Sequence, residues 1–309
     1  MARILVTGSS GFVGSAAADL LAADGHDVVG LDPAPPLPSA RHRHVADDLS
    51  DRQRLEDLLA ELRPSHVLHA GGVSGPMVLA DRPAEVMAIN VSGTLRLLEA
   101  ALAAGVGSFV FCSSISAVGS YDVDRPIGAD QHLRPETPYG CSKAAVEYVL
   151  QGLWQRVPME LCALRFTGIY GPGRRMSFVL DDMVEAALAG RPAHIPPTLP
   201  APYLYGDDAA AAAVAACFAP SRTQLAYYVA HPEMVWIADV QAIIVAQVGP
   251  LEIIEDRTVA PARRGPVDLG PTARDLGFTA RTGIREGLSR LIAARRDRRA
   301  KAGDATCRT

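Results

Sequence analysis

The 309-residue chain is 49% hydrophobic and 21% charged with a formal net charge of −4, a balance that suits an ordinary soluble globular fold and lacks the overall positive charge a nucleic-acid backbone demands. No apolar run is expected to reach the roughly 18 residues that span a bilayer, and the N-terminus runs straight into an apolar strand, leaving no room for a signal peptide. Five scattered cysteines (Cys112, Cys141, Cys162, Cys217 and Cys307) form no C-x-x-C pair, so buried thiols in a reducing, cytoplasmic setting are expected. The histidines show no metal-ligand spacing; His42 and His44, beside Arg41 and Arg43, read as a polar loop or strand edge, and no metal is expected. The basic run Arg295 to Arg299 reads as a solvated helix fraying into a tail.

In chain order, Ile4-Leu5-Val6 is long enough for a buried parallel strand. Thr7-Gly8-Ser9-Ser10-Gly11-Phe12-Val13-Gly14 follows, opening an Ala/Leu-rich helix that reaches Asp24, with Gly25 placed to end it. Strand, glycine turn and helix form the setting a dinucleotide phosphate needs. Gly8 permits a tight turn, Gly11 lets the backbone approach a pyrophosphate, and Gly14 lets the helix pack close to the strand. Free N–H groups at the helix N-terminus, with Ser10, Phe12 and Val13 around them, face the anion. Asp27 to Asp32 is a second strand, ending on a carboxylate 18 residues beyond Gly14. A carboxylate about 20 residues after the glycines meets adenosine ribose hydroxyls and repels a 2′-phosphate. NAD is therefore favoured over NADP, which Arg41 and Arg43 keep open.

Asp47-Asp48-Leu49-Ser50 precedes a helix with apolar positions Leu55, Leu58, Leu59 and Leu62; one aspartate is placed to cap it and the other to reach adenine, with Asp48 and Leu49 assigned to the cofactor. His66 to Gly72 is a strand running into small residues. There a cofactor lies against bare backbone at His69, Ala70 and Gly71, with Gly72 and Ser74 on the substrate side. A helix over 81–104 carries Asn90 and Gly93, poor helix formers that signal close packing or a task for the amide. Phe109 to Ser114 is a buried strand ending in two hydroxyls. Because strand side chains alternate faces, one of Ser113 and Ser114 serves a substrate, and either is available. Ser116 follows on the substrate side.

Thr137 is a candidate N-cap and Pro138 a first helical residue for a helix from Tyr139 to Trp154. Tyr139 and Lys143, four apart, then share one helix face at the C-terminal edge of the sheet. A strand from Leu161 breaks into a glycine-rich loop. Phe166, Gly168 and Ile169 are assigned to the cofactor, and Thr167, Arg174 and Arg175 to the substrate. Arg165 and the Arg174-Arg175 pair either bind an anionic substrate or face solvent. A helix near 177–189, a proline-rich connection from Pro192 to Pro202 and an Ala-rich helix over 207–219 complete the pattern. A soft boundary near 170 separates a cofactor domain (1–170, with later segments returning to it) from 171–309, mainly a smaller substrate-binding lobe and tail.

Four features thus occur in one order: T-G-x-x-G-x-x-G at the first turn, an Asp ending strand two, a Ser-Ser strand end, and Y-x-x-x-K on a helix. Together they resemble the extended short-chain dehydrogenase/reductase family, which includes NAD-dependent sugar epimerases and dehydratases. Pro138-Tyr139-Gly140-Cys141-Ser142-Lys143 resembles that family's P-Y-x-x-S-K. Leu164-Arg165 with Tyr170-Gly171-Pro172-Gly173 resembles its L-R-x-x-N-V-Y-G-P-G, and Asp207-Asp208-Ala209 and Leu276-Gly277-Phe278 resemble its late V-x-D-V-A and L-G-W. The resemblance implies an α/β fold, a Rossmann-like doubly wound parallel sheet with a smaller C-terminal lobe. It also implies bound NAD, a small-molecule substrate and a homodimer formed by the helices carrying Asn90 and Tyr139. Ser114, Tyr139 and Lys143 become the catalytic set, with Asn90 ordering the helix or a water near them.

The chemistry suits those residue types. A secondary alcohol gives up hydride only if its hydroxyl proton also leaves. A tyrosine with a reference pKa near 10 takes that proton when a cation sits close, a field expected from Lys143. Lys143 is also expected to hold the nicotinamide ribose, and Ser114 the substrate oxygen. Three departures from the family narrow the substrate. The dehydratases' Asp-Glu after the hydroxyl is Ile115-Ser116 here. The asparagine that contacts the substrate in sugar-nucleotide enzymes is Gly168, and the arginine that binds the nucleotide diphosphate is Ala201, although Arg263 and Arg264 remain for one phosphate contact. The first expectation is an NAD-dependent oxidoreductase acting on a small sugar, sugar acid, polyol or similar hydroxy compound. The second is a nucleotide-sugar 4-epimerase, and the third a silent NAD(P)-binding sensor, against which the intact Ser, Tyr and Lys argue.

Overall fold

The computed structural model describes residues 1–121, 125–258 and 264–306, with side chains described to Lys301. In its first part run β1 (Arg3–Thr7), α1 (Phe12–Ala23), β2 (Asp27–Leu31), β3 (Arg43–Val45), α2 (Arg52–Leu62), β4 (His66–His69), α3 (Pro83–Met87), α4 (Thr94–Ala103), β5 (Ser108–Ser114), α5 (Pro138–Leu153) and β6 (Glu160–Phe166). The remainder holds β7 (Gly168–Tyr170), α6 (Val179–Leu188), β8 (Ala193–Ile195), β9 (Ala201–Tyr205), α7 (Gly206–Cys217), β10 (Ala226–Val229), β11 (Met234–Val235), α8 (Ile237–Gln247), β12 (Ile253–Glu255), α9 (Gly270–Leu276) and α10 (Ile284–Thr306).

Seven parallel strands form one sheet in the order β10-β6-β5-β4-β1-β2-β3. Its strands read as continuous apolar runs because both faces are covered. Ile4 and Val6 of β1 pack with Ala17 and Leu21 of α1 and the alanines of α7. Leu5, pointing the other way, packs with Leu55 of α2, Leu97 of α4 and Val146 of α5. The strand order reverses beside β1, and the C-terminal ends of β1 and β4 open there as a crevice, the usual ligand position in such sheets. A separate apolar core joins α6, α8 and α10 to Tyr170, Tyr203 and Tyr205 of the three-stranded sheet β11-β9-β7.

Several expectations change. The helix over 81–104 is α3 and α4 joined by a π-helical turn, Ala88–Gly93, so its poor helix formers mark a change in pitch. The span Pro83–Ala103 has 21 residues, and its most apolar 18-residue stretch has a mean hydropathy of 1.3, so among the described residues one helix is long and apolar enough to cross a bilayer, with 44% of that stretch buried. Much of its apolar character is spent inside the protein, where Leu97 and Leu98 are buried in the core under the sheet. The cap of α2 is Asp51, which accepts from the Arg54 backbone N–H at 3.1 Å, rather than Asp47 or Asp48. Pro192 to Pro202 contains β8 and the start of β9. The basic run is not merely solvated, because Arg295 is buried and donates to Asp181 at 2.8 Å, docking α10 on α6. Cys112, Cys162 and Cys217 are buried free thiols; Cys307 and Arg263 lie outside the described residues.

Candidate active site

The glycine turn is held by geometry that admits no side chain. Gly8 has φ +68°, and a Cβ there would lie 2.6 Å from the Ala70 and Gly71 backbone; one on Gly14 would lie 2.1 Å from the Gly8 carbonyl oxygen. This close approach leaves α1 with no side-chain cap on its first turn, so its N–H groups are open to an anion. At the end of β2, Asp32 accepts from the Ser10 N–H at 3.1 Å and the Ala34 N–H at 2.8 Å, fixing its carboxylate beside the turn. Ser10 itself points away, its hydroxyl donating to the Ala34 carbonyl. Arg41 and Arg43 line no part of the cleft; Arg43 faces Glu61.

A cleft of about 870 Å³ runs from this turn across the ends of β1, β4, β5 and β6. It brings together Gly8, Gly11, Phe12, Val13, Gly14, Asp32, Asp48, Leu49, Ala70, Gly71, Gly72, Ser74, Ser113, Ser114, Ser116, Tyr139, Lys143, Phe166, Thr167, Gly168, Ile169 and Arg174. Ser10, His69, Asn90 and Arg175 are outside its lining. His69 is buried below, its ring nitrogens 2.6 and 2.7 Å from the Thr7 and Thr94 hydroxyls. Asn90 accepts from the Val73 N–H and donates to the Val73 carbonyl and the Ser142 hydroxyl, pinning the loop after β4 to α5. Arg175 is exposed. Arg165 neither faces solvent nor reaches the cleft; it is buried against Glu147 at 2.8 Å.

The two serines separate as the pleat requires. The Ser113 hydroxyl donates to the Glu147 carboxylate, whereas the Ser114 hydroxyl accepts from the Ser116 N–H at 3.1 Å and lines the cleft with Tyr139. Thr137 accepts from the Gly140 N–H at 3.1 Å and Pro138 opens the first turn, so α5 begins where Tyr139 reaches the sheet edge. Lys143 donates to the Cys112 carbonyl at 2.8 Å, and its Nζ lies 5.8 Å from the Tyr139 ring centroid. Burial pushes the Lys143 ammonium down to about 8. Burial also raises the Tyr139 phenol above its ordinary value, opposed by the nearby Ser114 hydroxyl and the Arg174 guanidinium. The lowering of Tyr139 expected from Lys143 therefore does not prevail. Desolvation outweighs the opposing contributions, and the phenol holds its proton at neutral pH.

Beyond Tyr139 the wall is made by residues no motif announced: Val73, Met77, Met176 and Phe178. A Cβ on Gly168 would lie 2.7 Å from the Phe178 ring and 3.1 Å from the Tyr203 ring, so an aromatic side chain fills the space this position offers. Arg174 stacks over Phe178 at 4.7 Å and donates to the Ile169 carbonyl, while its Nε is buried without a partner. Burial lowers its guanidinium below the usual range. Arg264 is occupied elsewhere, donating to the Gly119 carbonyl, and lines no part of the cleft.

Residues 4–230 match the NAD dependent epimerase/dehydratase family. The chain belongs to that family. This epimerase/dehydratase family member is 35% identical over 201 residues to the UDP-glucose 4-epimerase of Mycolicibacterium smegmatis, covering 61% of its own length and 64% of that protein. It is 30% identical over 216 residues to the UDP-glucose 4-epimerase of Corynebacterium glutamicum, covering 67% and 63%. The chain thus spans less than two thirds of these curated relatives. Over nearly full length it superposes on the Thermus thermophilus UDP-glucose 4-epimerase complex with NAD, at 27% identity, TM-score 0.83 and coverage of 95% and 99%. It superposes similarly on MoeE5 in complex with UDP-glucose and NAD, at 29% identity, TM-score 0.84 and coverage of 96% and 99%.

Proposed function

We propose that this protein is an NAD-dependent oxidoreductase that moves hydride from a secondary alcohol of a small sugar acid, sugar, polyol or similar hydroxy compound. The fit to NAD rests on the glycine cradle, where a Cβ at Gly8 or Gly14 would strike backbone, and on Asp32, a carboxylate that favours ribose hydroxyls over a 2′-phosphate. Gly11, Gly14 and Asp32 would hold the adenosine diphosphate part, and Lys143 the nicotinamide ribose. When bound, NAD supplies the hydride acceptor and a positive charge. Ser114 would hold the substrate oxygen, and the cofactor's positive charge, added to that of Lys143, would bring the Tyr139 phenol down so that it takes the hydroxyl proton on oxidation or returns it on reduction. Three of the four scattered thiols described are buried, in keeping with a cytoplasmic protein. A homodimer through the helices carrying Asn90 and Tyr139, where Ile89 and Tyr148 are exposed, belongs to the same reading.

The observation that favours a small substrate is the Phe178 ring packed on Gly168. It occupies the position from which sugar-nucleotide members of the family contact their substrate with an asparagine amide. Together with Ala201 in place of a diphosphate-binding arginine, it leaves Arg174 as the cation at that end of the cleft. A diphosphate asks for more than one such contact, whereas a single carboxylate does not. The second reading, a nucleotide-sugar 4-epimerase, draws on the curated relatives at 30–35% identity. Incubation with NAD and panels of free sugar acids and polyols, and separately with UDP-sugars, distinguishes the two. NADH formation with a free hydroxy compound supports the first; interconversion of UDP-sugars without NADH release replaces it with the second.

A further inference from the structure

Lys143 lies in an enclosed corner between α5 and the end of β5, and its neighbours divide sharply by charge. The Cys112 thiol is pushed up by burial to about 12 and the His69 imidazole down to about 3, while the Tyr139 phenol is raised. All three are neutral near pH 7. Cys112 and then Glu147 oppose the desolvation of Lys143; because the Cys112 thiol is still neutral where Lys143 titrates, the standing charge is that of Glu147, one helical turn further along α5 and 3% exposed.

Glu147 is itself held from two strands. One carboxylate oxygen accepts from the Ser113 hydroxyl; the other accepts from Arg165 Nε at 2.9 Å and Nη2 at 2.8 Å. Ser113 and Arg165 are direct register partners on β5 and β6, so both reach the same carboxylate from adjacent strands. Arg165 is anchored in turn by the Ala129 carbonyl at 3.0 Å and the Tyr228 hydroxyl at 3.2 Å. Helix α5 is thereby fastened to successive residues of β5, Lys143 to the Cys112 carbonyl and Glu147 to the Ser113 hydroxyl.

We propose that Glu147, clamped by Ser113 and Arg165, is a positioning residue that keeps Lys143 a cation beside Tyr139 and so sets the alkaline limit of the reaction. This inference rests on the Ser114, Tyr139 and Lys143 reading of the site. A buried carboxylate close to an ammonium favours its charged form, and its removal leaves desolvation unopposed. A neutral Lys143 loses its positive charge beside the phenol and one of its donors.

The chain holds two lysines, Lys143 and Lys301, which makes the test direct. Titration of the full-length protein labelled at lysine Nζ, followed by NMR, reports Lys143 apart from Lys301 without any turnover. Glu147→Gln is expected to move the Lys143 midpoint, and the alkaline limb of kcat/KM with it, down by roughly one pH unit; Glu147→Asp is expected to restore most of the shift. Should Glu147→Gln fail to fold with Arg165 left unpaired, Glu147→Gln/Arg165→Met removes the pair without a buried lone charge; because the lost guanidinium offsets part of the lost carboxylate, a smaller downward shift is expected. A folded variant whose Lys143 midpoint and alkaline limb match those of the parent overturns the proposal. Lys143→Met is measured alongside: if it keeps activity, the reading of the site fails, a result separable from an unchanged Lys143 titration.

Discussion

Where the cleft meets the glycine turn its wall is backbone, and where it meets the smaller apolar core its wall is side chains. At the dinucleotide end Gly8, Gly11, Gly14, Ala70 and Gly71 offer N–H groups and bare chain, and Asp32 is fixed by two backbone donors. At the substrate end Met77, Met176, Phe178 and Arg174 enclose a space whose shape depends on rotamers. Backbone at strand ends is placed by the whole sheet and changes little with sequence. A wall of long side chains is remade by a few substitutions, so one scaffold keeps its cofactor while its substrate varies.

The largest expected effect falls where the two ends meet. Tyr139→Phe removes one hydroxyl from a ring that packing holds in place, and turnover is expected to fall about 10²- to 10⁴-fold, the range of a lost general acid or base. Cofactor binding by calorimetry and the thermal midpoint should stay near the parental values. An active Tyr139→Phe protein would detach the phenol from both ends of the cleft.

Next comes the backbone end. Gly14→Ala puts a methyl 2.1 Å from the Gly8 carbonyl oxygen, a contact that only movement of α1 or the turn relieves. NAD affinity is expected to fall about 100-fold or more, with a stability loss of a few kcal/mol read in thermal unfolding. The substrate end responds differently. Arg174→Ala removes a guanidinium with a free Nε and is expected to lower kcat/KM for a carboxylate-bearing substrate about 10- to 100-fold, the worth of a charge-assisted contact. NAD affinity should be unchanged. An equal loss of NAD affinity would show that the ends are not independent.

This difference also governs what the amino-acid order discloses. The glycine turn, Asp32, the capped start of α5 and the Tyr139/Lys143 face are legible because each depends on neighbours within a turn or two. Arg165 is not: its partner Glu147 stands on another element, and only the β5–β6 register brings Ser113 and Arg165 to one carboxylate. Phe178 was equally hidden, although Gly168 in a motif that usually carries asparagine was a signal that something else filled the space. Asn90 is a poor helix former, and its amide bonds to Val73 and Ser142 give the reason for its place.

His69 sharpens the comparison from beneath. Its place at the end of β4 suggested a cofactor contact, yet it holds the backbone end rigid from below. Thr94 donates to the Asn90 carbonyl at 2.5 Å and so accepts from His69 Nε2–H, which leaves Nδ1 to accept from Thr7; Thr7 in turn accepts from the Gly71 N–H at 3.2 Å. This chain fixes the neutral Nε2–H tautomer and runs from the cleft floor to the helix carrying Asn90. Protonation would set a second ring donor against the Thr7 hydroxyl hydrogen, and burial adds to the cost, lowering the ring to about 3. In the unfolded chain the same imidazole titrates near 6.5. As pH falls below that value the unfolded state takes the proton first, so the contribution of His69 is complete above about pH 6.5 and is lost progressively towards pH 3. At pH 5 the loss amounts to roughly 2 kcal/mol, or about 3 °C in Tm for a chain of this size. His69→Gln, which has no such titration, is expected to show a shallower fall in Tm between pH 7 and pH 5 by about that margin. Parallel Tm profiles for the two proteins would mean that the imidazole charges in place, and that the backbone end tolerates more movement than its hydrogen bonds imply.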